Sequence, residues 1–201
     1  MPKIVNKDEK RREIAQSCIP LLSEVGIKKF TVSAAAKIAG IGKGTIYEYF
    51  ENKEDIIFEI INIHIEKHDE VFLENIKEVT SIRDKVKCFF YMVINDDEYA
   101  QGHLKGYQDY LSVALSEDNE AYKNFNSSCD TFLVANLEKI INEAVKDKVL
   151  LPNATKFAQS LIIFKKGLVL MKMTNSNFDA KEAYESFIDS FFELLEVKND
   201  K

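Results

Sequence analysis

Glycine and proline are scarce in this chain, and that scarcity limits the folds it can adopt. The 201 residues include seven glycines and three prolines, whereas folds built from many short strands need these residues at their turns. Apolar residues recur instead at intervals of three and four, the spacing of one face of a helix, and no run of alternating polarity is long enough for a strand. The sequence therefore predicts an all-α protein of about nine helices.

Residues suited to helix ends divide the chain into predicted segments. Gly26 is expected to end a first helix over 7–25, and Thr31 to cap a short helix over 32–39. Asn52 is placed to cap a long helix that opens with acidic residues. The remaining predicted helices cover 43–50, 53–78, 81–97, 98–116, 118–147, 153–173 and 179–197.

The last two predicted helices carry the clearest apolar stripes. The stripe residues are Phe157, Leu161, Phe164 and Leu168 in the first, and Tyr184, Phe187, Ile188, Phe191 and Leu195 in the second. The second stripe is broader than one neighbouring element would cover. We therefore expect these residues to pack against both the rest of the chain and a second copy of it, which makes the protein a homodimer.

Charge is divided unevenly along the chain. The net charge of −6 separates into +4 over residues 1–53 and −10 over residues 54–201. A basic head on an acidic body suits an anionic partner at one end only. The same charge distribution is equally compatible with an ordinary solvated surface that has no anionic partner.

Two short predicted helices meet at a turn formed by Gly40, Ile41 and Gly42. Two helices joined by such a turn are typical of a helix-turn-helix, whose second helix enters the major groove of DNA by its N-terminal end. Ile46 and Phe50 lie four residues apart on that second helix, and we expect them to pack back onto the first helix.

The residues left on the outer side have side chains suited to nucleic acid. Lysine can meet a phosphate or a guanine edge, threonine offers a hydroxyl and a methyl group, tyrosine offers a hydroxyl, and glycine allows close approach. The residues predicted to contact DNA are Thr31, Lys43, Gly44, Thr45, Tyr47, Tyr49 and Lys53. A neighbouring basic cluster, predicted to clamp the DNA backbone, comprises Lys7, Lys10, Arg11 and Arg12. In the alternative interpretation, these are simply packed helices of an all-helical protein.

The segment 26–53, GIKKFTVSAAAKIAGIGKGTIYEYFENK, resembles the pattern of the TetR family of transcriptional regulators. The matching residues are Val32, Ala36, Ala39, Gly40, Ile41, Lys43, Gly44, Thr45, Ile46, Tyr47, Phe50, Lys53 and Glu54. The resemblance implies a helix-turn-helix DNA-binding domain over 1–52 and a helical ligand-binding and dimerisation domain over 53–201.

The resemblance also implies a function. A TetR-like regulator, a repressor rather than an activator, would bind a palindromic operator in double-stranded DNA as a homodimer. Its two recognition helices would lie about 34–36 Å apart, one turn of DNA. A small-molecule effector that favours a different separation would release the DNA.

Three residues depart from the family pattern. Gly42 replaces the usual serine and weakens the cap of the second helix, and Ala35 is smaller than the usual aliphatic residue. Glu48 places an acid in the middle of the reading helix, where it could accept from a cytosine amino group or pair with a nearby lysine. These departures are compatible with an alternative function, that of an accessory regulator that dimerises without binding DNA.

Candidate effector-binding residues are polar or aromatic positions on otherwise apolar faces. They are His64, His68, Tyr91, Tyr107, Tyr110, Phe125 and Phe132. Aromatic residues at helical spacing usually belong to the protein core rather than to a ligand site. His64 and His68 share a helix face, but no glutamate directly follows the first histidine and Lys67 disfavours a cation, so we expect no metal site and no cofactor.

Other classes receive less support from the sequence. A nucleophile elbow, a phosphate-cradling glycine loop and a carboxylate cluster with a base are all missing, so an all-helical enzyme is the weaker alternative. No segment is apolar for the length that a membrane span needs, and the charged N-terminus does not resemble a secretion signal. The three separated cysteines fit a reducing compartment, so we expect a cytoplasmic protein without a membrane partner.

Overall fold

The computed structural model of the chain describes residues 6–115 and 120–198, with the side chains at positions 64, 65, 67–69 and 71 outside that description. Ten α-helices and one 3-10 helix lie in the described residues, together with an isolated antiparallel bridge between Leu150 and Glu196. The predicted all-α class is confirmed.

The helices occupy most of the predicted segments. The first four are α1 (Lys7–Lys29), α2 (Val32–Ile38), α3 (Lys43–Tyr49) and α4 (Lys53–Glu78). The others are α5 (Ile82–Cys88), α6 (Tyr91–Ile94), α7 (Glu98–Ala114), α8 (Glu120–Lys146), α9 (Ala158–Thr174) and α10 (Ala180–Leu195). The 3-10 helix, Pro152–Phe157, precedes α9.

The described residues form two compact units. The first comprises residues up to 71 together with Leu115, and the second comprises residues 72–114 and those from 120 onward. The functional division between residues 52 and 53 stays a prediction. Among the described helices, none contains an apolar stretch of the length that a membrane span requires.

Two glycines with positive φ shape the first unit. Gly26 has a φ of 72° and interrupts the regular part of α1, where the sequence predicts a helix end. Gly40 has a φ of 67° in the turn between α2 and α3. That turn is closed by hydrogen bonds from the N–H of Gly40 to Lys37 O and from the N–H of Ile41 to Ala36 O, at 3.3 and 3.1 Å. A side chain at either glycine would be strained, because L-residues rarely adopt this region.

A small apolar core holds the three helices of the head together. Ile46 and Phe50 are buried, as the sequence predicts, and so are Ile14 and Cys18 of α1. Ala35, where the family prefers a larger residue, is fully buried, and its carbonyl lies 3.8 Å from the Cys18 sulfur. The small side chain therefore lets α1 lie close to α2.

The core of the second unit is mainly aliphatic and includes several aromatic side chains in contact with one another. The rings of Phe72 and Phe89 meet edge to face at 4.6 Å between centroids, and those of Phe90 and Tyr184 lie 4.8 Å apart. Such aromatic pairs stabilise the folded protein by more than the burial of their apolar surface alone would. Lys172 closes the end of α6, because its Nζ donates to Val93 O at 2.9 Å.

The structure corrects the predicted boundaries at two places. The single helix expected over 81–97 divides into α5 and α6. At the division, the N–H groups of Phe89 and Phe90 bond three residues back, to Val86 and Lys87, and both rings are buried. At this point, burying both aromatic rings stabilises the protein more than continuing the regular α-helix would. The helix expected over 153–173 begins instead as the 3-10 helix.

Candidate nucleic-acid interface

Helix α3 begins without a side-chain cap. Gly42 stands at its N-terminus in an extended conformation, and only its carbonyl takes part, accepting from the N–H of Ile46 at 3.1 Å. A Cβ added at Gly42 would lie 3.7 Å from the Thr45 hydroxyl, an ordinary contact. The fold therefore tolerates the usual serine at this position, and glycine leaves the N-terminal N–H groups of α3 open to an outside acceptor.

The outer side of α3 exposes three of the seven residues predicted to contact DNA. Lys43, Gly44 and Tyr47 are exposed, and Tyr47 leaves 52% of its surface to solvent. Thr45 and Tyr49 are half-buried. A Cβ added at Gly44 would meet nothing within 4 Å. Glycine inside a helix is destabilising, so neither the backbone nor the packing of the protein explains its presence here.

An open groove collects four of the predicted DNA-binding side chains in the first unit. Its lining includes Thr31, Lys43, Tyr47 and Lys53. Lys28, which sequence reasoning did not select, lines the same groove. The signal for Lys28 was its position three residues before the Thr31 cap. Glu51 and Glu54 also line the groove, and Lys53 lies 3.7 Å from Glu54, so the lining carries one more lysine than acids. Lysine side chains beside a groove can contact phosphates.

Thr31 has a structural role as well. Its Oγ1 accepts a hydrogen bond from the N–H of Ala34 at 3.2 Å and so caps α2, as predicted. Because the oxygen accepts, the hydroxyl hydrogen can still donate to a phosphate. Asn52 caps α4 in the same way, accepting from the N–H of Asp55 at 2.8 Å.

Arg11 does not face an outside anion, as the predicted basic clamp requires. Its Nη2 lies 2.9 Å from Asp55 Oδ1, its Nη1 lies 3.2 Å from Asp55 Oδ2, and Nη1 also donates to the carbonyl of Tyr49. Glu59 is 3.4 Å from Nη2, and the guanidinium lies over the Phe50 ring at 4.5 Å from its centroid. The acidic start of α4 thus holds this side chain within the protein.

Two further members of the basic cluster are also paired internally. Lys10 lies 2.8 Å from Glu13, and Arg12 lies 2.6 Å from Glu66. Lys7 is exposed. Acids of α4 thus hold Arg11 in place of an outside anion, whereas contact of Lys7, Lys10 and Arg12 with the DNA backbone stays a prediction.

Asp55 is held in its charged form. Partial burial raises its pKa, but the hydrogen bonds from Arg11 and from the N–H of Glu51 outweigh burial and lower the pKa below its ordinary value.

Glu48 is exposed on α3, and no ion pair joins it to another described residue. The lysine partner suggested for Glu48 is therefore not found in the described part of the chain.

Three of the candidate effector residues come together between α7 and α8. Tyr110 lies 6.2 Å from Tyr107 and 5.9 Å from Phe125 by ring centroids. Tyr122, which the sequence did not single out, completes this aromatic cluster at 5.6 Å from Tyr110. Burial, with a smaller contribution from Asp130, raises the pKa of Tyr107, so its phenol stays neutral.

The other effector candidates lie apart from this cluster. The Tyr91 hydroxyl donates to Asp97 Oδ2 at 2.6 Å, and its ring faces Tyr99. Phe132 is exposed on α8. His64 and His68 belong to α4, and their side chains lie outside the described residues. Within the described residues, no three His, Cys, Asp or Glu side chains are grouped so that they could hold a metal ion.

The stripe residues predicted for dimerisation face mainly into their own chain. The buried members are Leu161, Leu168, Tyr184, Ile188, Phe191 and Leu195. Phe164 and Phe187 are half-buried and stack on each other, and Phe157 is exposed. Other apolar residues of α9 and α10 are open to solvent: Ile163 at 63%, Leu170 at 53% and Leu194 at 74%.

A short exposed helix behind a glycine turn, with lysines and a tyrosine around one groove, defines a helix-turn-helix protein of the DNA-binding class. The family model for the bacterial regulatory proteins of the tetR family matches residues 19–60, which contain that turn and both short helices. Residues 19–60 thus match the TetR-family head, and the predicted resemblance to that family is confirmed over this segment.

Curated relatives are regulators as well. Over 80 residues, 40% of this chain, it is 35% identical to the fatty acid metabolism regulator protein of Bacillus subtilis, and it spans 41% of that relative's length. Over 130 residues, 65% of this chain, it is 21% identical to the HTH-type transcriptional regulator YhgD of the same organism, and it spans 68% of that length.

Solved structures share the fold of the whole chain. A TetR-family transcriptional regulator from Cytophaga hutchinsonii superposes with a TM-score of 0.77 at 19% identity, covering 98% of this chain and 100% of the other. The regulator FadR from Bacillus subtilis in complex with stearoyl-CoA gives a TM-score of 0.59 at 21% identity, covering 90% of this chain and 95% of the other. At these identities, the likeness establishes the fold alone.

Proposed function

We propose that this protein is a transcriptional repressor that binds a palindromic operator as a homodimer and leaves it when a small-molecule effector binds. The observation that carries the proposal is the groove beside α3, where Lys43, Tyr47, Thr31 and Lys53 converge. In this proposal, residues 1–52 bind DNA and residues 53–201 bind the effector and the second protomer. Such a regulator works in the cytoplasm, where its operator lies.

DNA reading follows from the chemistry of α3. Lys43 and Gly44 lie in its first turn, the part of a recognition helix that reaches base edges. Lys43 can reach a guanine edge or a phosphate, and the bare Gly44 lets the helix backbone approach the duplex. Tyr47 and Lys53 supply a hydroxyl and a cation for the flanking phosphates.

Dimerisation is proposed to use the exposed sides of α9 and α10. Ile163 and Leu170 lie seven residues apart on α9, and Gly167 between them is also exposed. Leu194 offers an exposed apolar side chain on α10, with Ser190 one turn before it. Apolar side chains beside small residues suit close packing of helices from two protomers. The buried stripe residues would then support this surface from beneath.

The effector is proposed to be an acyl thioester with a long apolar chain. The support is the named function of one relative, fatty acid metabolism regulation, and the stearoyl-CoA complex of one structural neighbour. The cluster of Tyr107, Tyr110, Tyr122 and Phe125 is the candidate aromatic wall for such a chain.

The DNA-binding proposal is tested by selection from a library of random-sequence duplexes at low salt. The purified full chain should enrich an inverted repeat, and Lys43→Ala and Tyr47→Phe should weaken binding to the enriched duplex while leaving the helical circular dichroism unchanged. Lys139→Ala, a lysine on α8, is the matched control. Failure of the wild-type chain to enrich or retain any duplex would favour the accessory regulator or the enzyme.

A further inference from the structure

Arg11 connects three helices of the first unit through a single guanidinium group. It extends from α1, donates to the carbonyl of Tyr49 at the C-terminal end of α3, and forms a two-point ion pair with Asp55 in the first turn of α4. The Phe50 ring lies beneath it at 4.5 Å. Arg11 is 38 residues from Tyr49 and 44 residues from Asp55 in the sequence. These contacts therefore fix how the three helices are arranged, rather than stabilising one helix alone.

The contact with Tyr49 bears on the recognition helix itself. The last carbonyl groups of a helix have no partner within the helix, and α3 is only seven residues long. A cation that donates to one of them also complements the negative end of the helix dipole. Because Asp55 holds the guanidinium from the other side, the end of α3 is fixed relative to the start of α4.

The geometry leaves Arg11 poorly suited to bind DNA directly. Its Nη groups are directed at Tyr49, Asp55 and Glu59. A phosphate could reach it only by displacing a bidentate carboxylate, which is a strong, geometrically specific pair. Asp55 also accepts from the N–H of Glu51 at 3.1 Å, which ties the loop after α3 into the same arrangement.

We propose that Arg11 and Asp55 are positioning residues for DNA recognition, which set the orientation of α3 without touching the duplex. This inference rests on the proposed function, since it requires that α3 read DNA. It predicts that the carboxylate of Asp55, although repelled by phosphate, is needed for tight DNA binding.

The charge of Asp55 makes a decisive test possible. Removing a negative charge from a DNA-binding head strengthens phosphate attraction, so electrostatics alone predicts that Asp55→Asn binds DNA more tightly or equally well. A positioning role predicts the opposite. Glu66→Gln is the matched control, because it removes a carboxylate of α4 that pairs with Arg12 at 2.6 Å, whereas Arg11 pairs with Asp55 and Glu59.

The experiment measures the affinity of the full-length chain for its selected duplex by fluorescence anisotropy over a range of salt. We expect Asp55→Asn and Arg11→Lys to weaken binding about tenfold, comparable to the loss of one base contact. Arg11→Lys keeps the charge but loses the two-point fork. Glu66→Gln should bind as tightly as wild type or more tightly.

Three outcomes would overturn the proposal. Asp55→Asn that binds as well as wild type would exclude positioning by the carboxylate. Weakened binding accompanied by loss of helical circular dichroism in both Asp55→Asn and Arg11→Lys would reduce the pair to a purely structural role. A wild-type chain that binds no duplex would refute the proposed function, and the inference with it, whereas a wild type that binds while the variants are unaffected would refute the inference alone.

Discussion

The ring of Phe164 in α9 stacks on the ring of Phe187 in α10, with 4.0 Å between the centroids. These two helices are therefore joined by the same stripes that the sequence marks most clearly. The exposed apolar residues Ile163, Leu170 and Leu194 belong to other sides of the helices. This arrangement separates residues that hold one protomer together from residues available to a second.

The dimer proposal predicts different effects for charges placed on the two surfaces. Leu194→Glu and Ile163→Glu should yield helical monomers with weak DNA binding, because an exposed side chain can carry a charge at little cost to the fold. Phe191→Glu should instead destabilise the protomer by several kcal/mol, since it buries an unpaired charge. Sedimentation analysis gives the oligomeric state and urea unfolding gives the stability. Stable dimers of the Ile163→Glu, Leu194→Glu double variant would place the interface elsewhere.

Gly44→Ala should make the protein more stable and its DNA binding weaker. Alanine is favoured over glycine by about 1 kcal/mol in a helix interior, which is an upper limit for the first turn of α3 where Gly44 lies. The new methyl group meets no protein atom within 4 Å. The same methyl group would occupy the space proposed for the duplex. Gly102→Ala in α7, which also has open space around it, is the control for helix stability without a DNA effect. Equal DNA affinities for wild type and Gly44→Ala would remove the reason given for glycine at this position.

Lysines around the groove should contribute to the salt dependence of binding. A phosphate contact releases counterions, so the logarithm of the binding constant falls linearly with the logarithm of salt, with a slope of about −0.9 per contact in duplex DNA. Lys28→Ala and Lys53→Ala should each reduce the slope by about one and weaken binding to every duplex alike. Titrations at several potassium chloride concentrations provide the slopes. Unchanged slopes would show that these lysines do not reach phosphates.

Acid should weaken the first unit through Asp55. Burial opposes ionisation of this carboxyl, but Arg11 and the N–H of Glu51 prevail and lower its folded-state pKa. A carboxyl whose pKa is lower in the folded chain stabilises the fold above its unfolded pKa, near 4, and that stabilisation is lost as the pH falls through the folded value. Asp55→Asn should therefore be less stable at pH 7 and lose less additional stability in acid. Thermal melts between pH 3 and 7 measure this, and parallel profiles for the two proteins would contradict it.

An acyl thioester should both stabilise the protein and release DNA if the effector proposal is right. A ligand that binds only the folded state raises its melting temperature by mass action. Stearoyl-CoA is the probe and free coenzyme A is the control for the headgroup. A rise in melting temperature with stearoyl-CoA alone, together with loss of the anisotropy signal of bound duplex, is the expected result; no change with either compound would exclude this class of effector.

Local signals were enough to predict the head. Thr31, Gly26 and Gly40 are capping and turn residues whose roles depend on backbone conformation within a few positions, and the buried pair Ile46 and Phe50 follows from helical spacing. The sequence could not reveal that Arg11 pairs with Asp55, because 44 residues separate them and charge alone does not name a partner.

Periodicity carried less information about the second unit. It predicted which faces of α9 and α10 are apolar, but an apolar stripe does not specify whether it packs against its own chain or another. The interruption between α5 and α6 was missed because Phe89 and Phe90 both fit a helix locally, and only tertiary packing buries both rings. Tyr122 was missed for a similar reason, since its neighbour Tyr110 lies on another helix.

The open space around Gly44 has a consequence for how such regulators diverge. Because a Cβ at this position meets no neighbouring atom within 4 Å, a small side chain can be added there without repacking the head. If α3 reads DNA as proposed, a substitution at position 44 would alter the surface presented to a base pair while the core stays unchanged, so target preference could diverge there without a compensating change in the core.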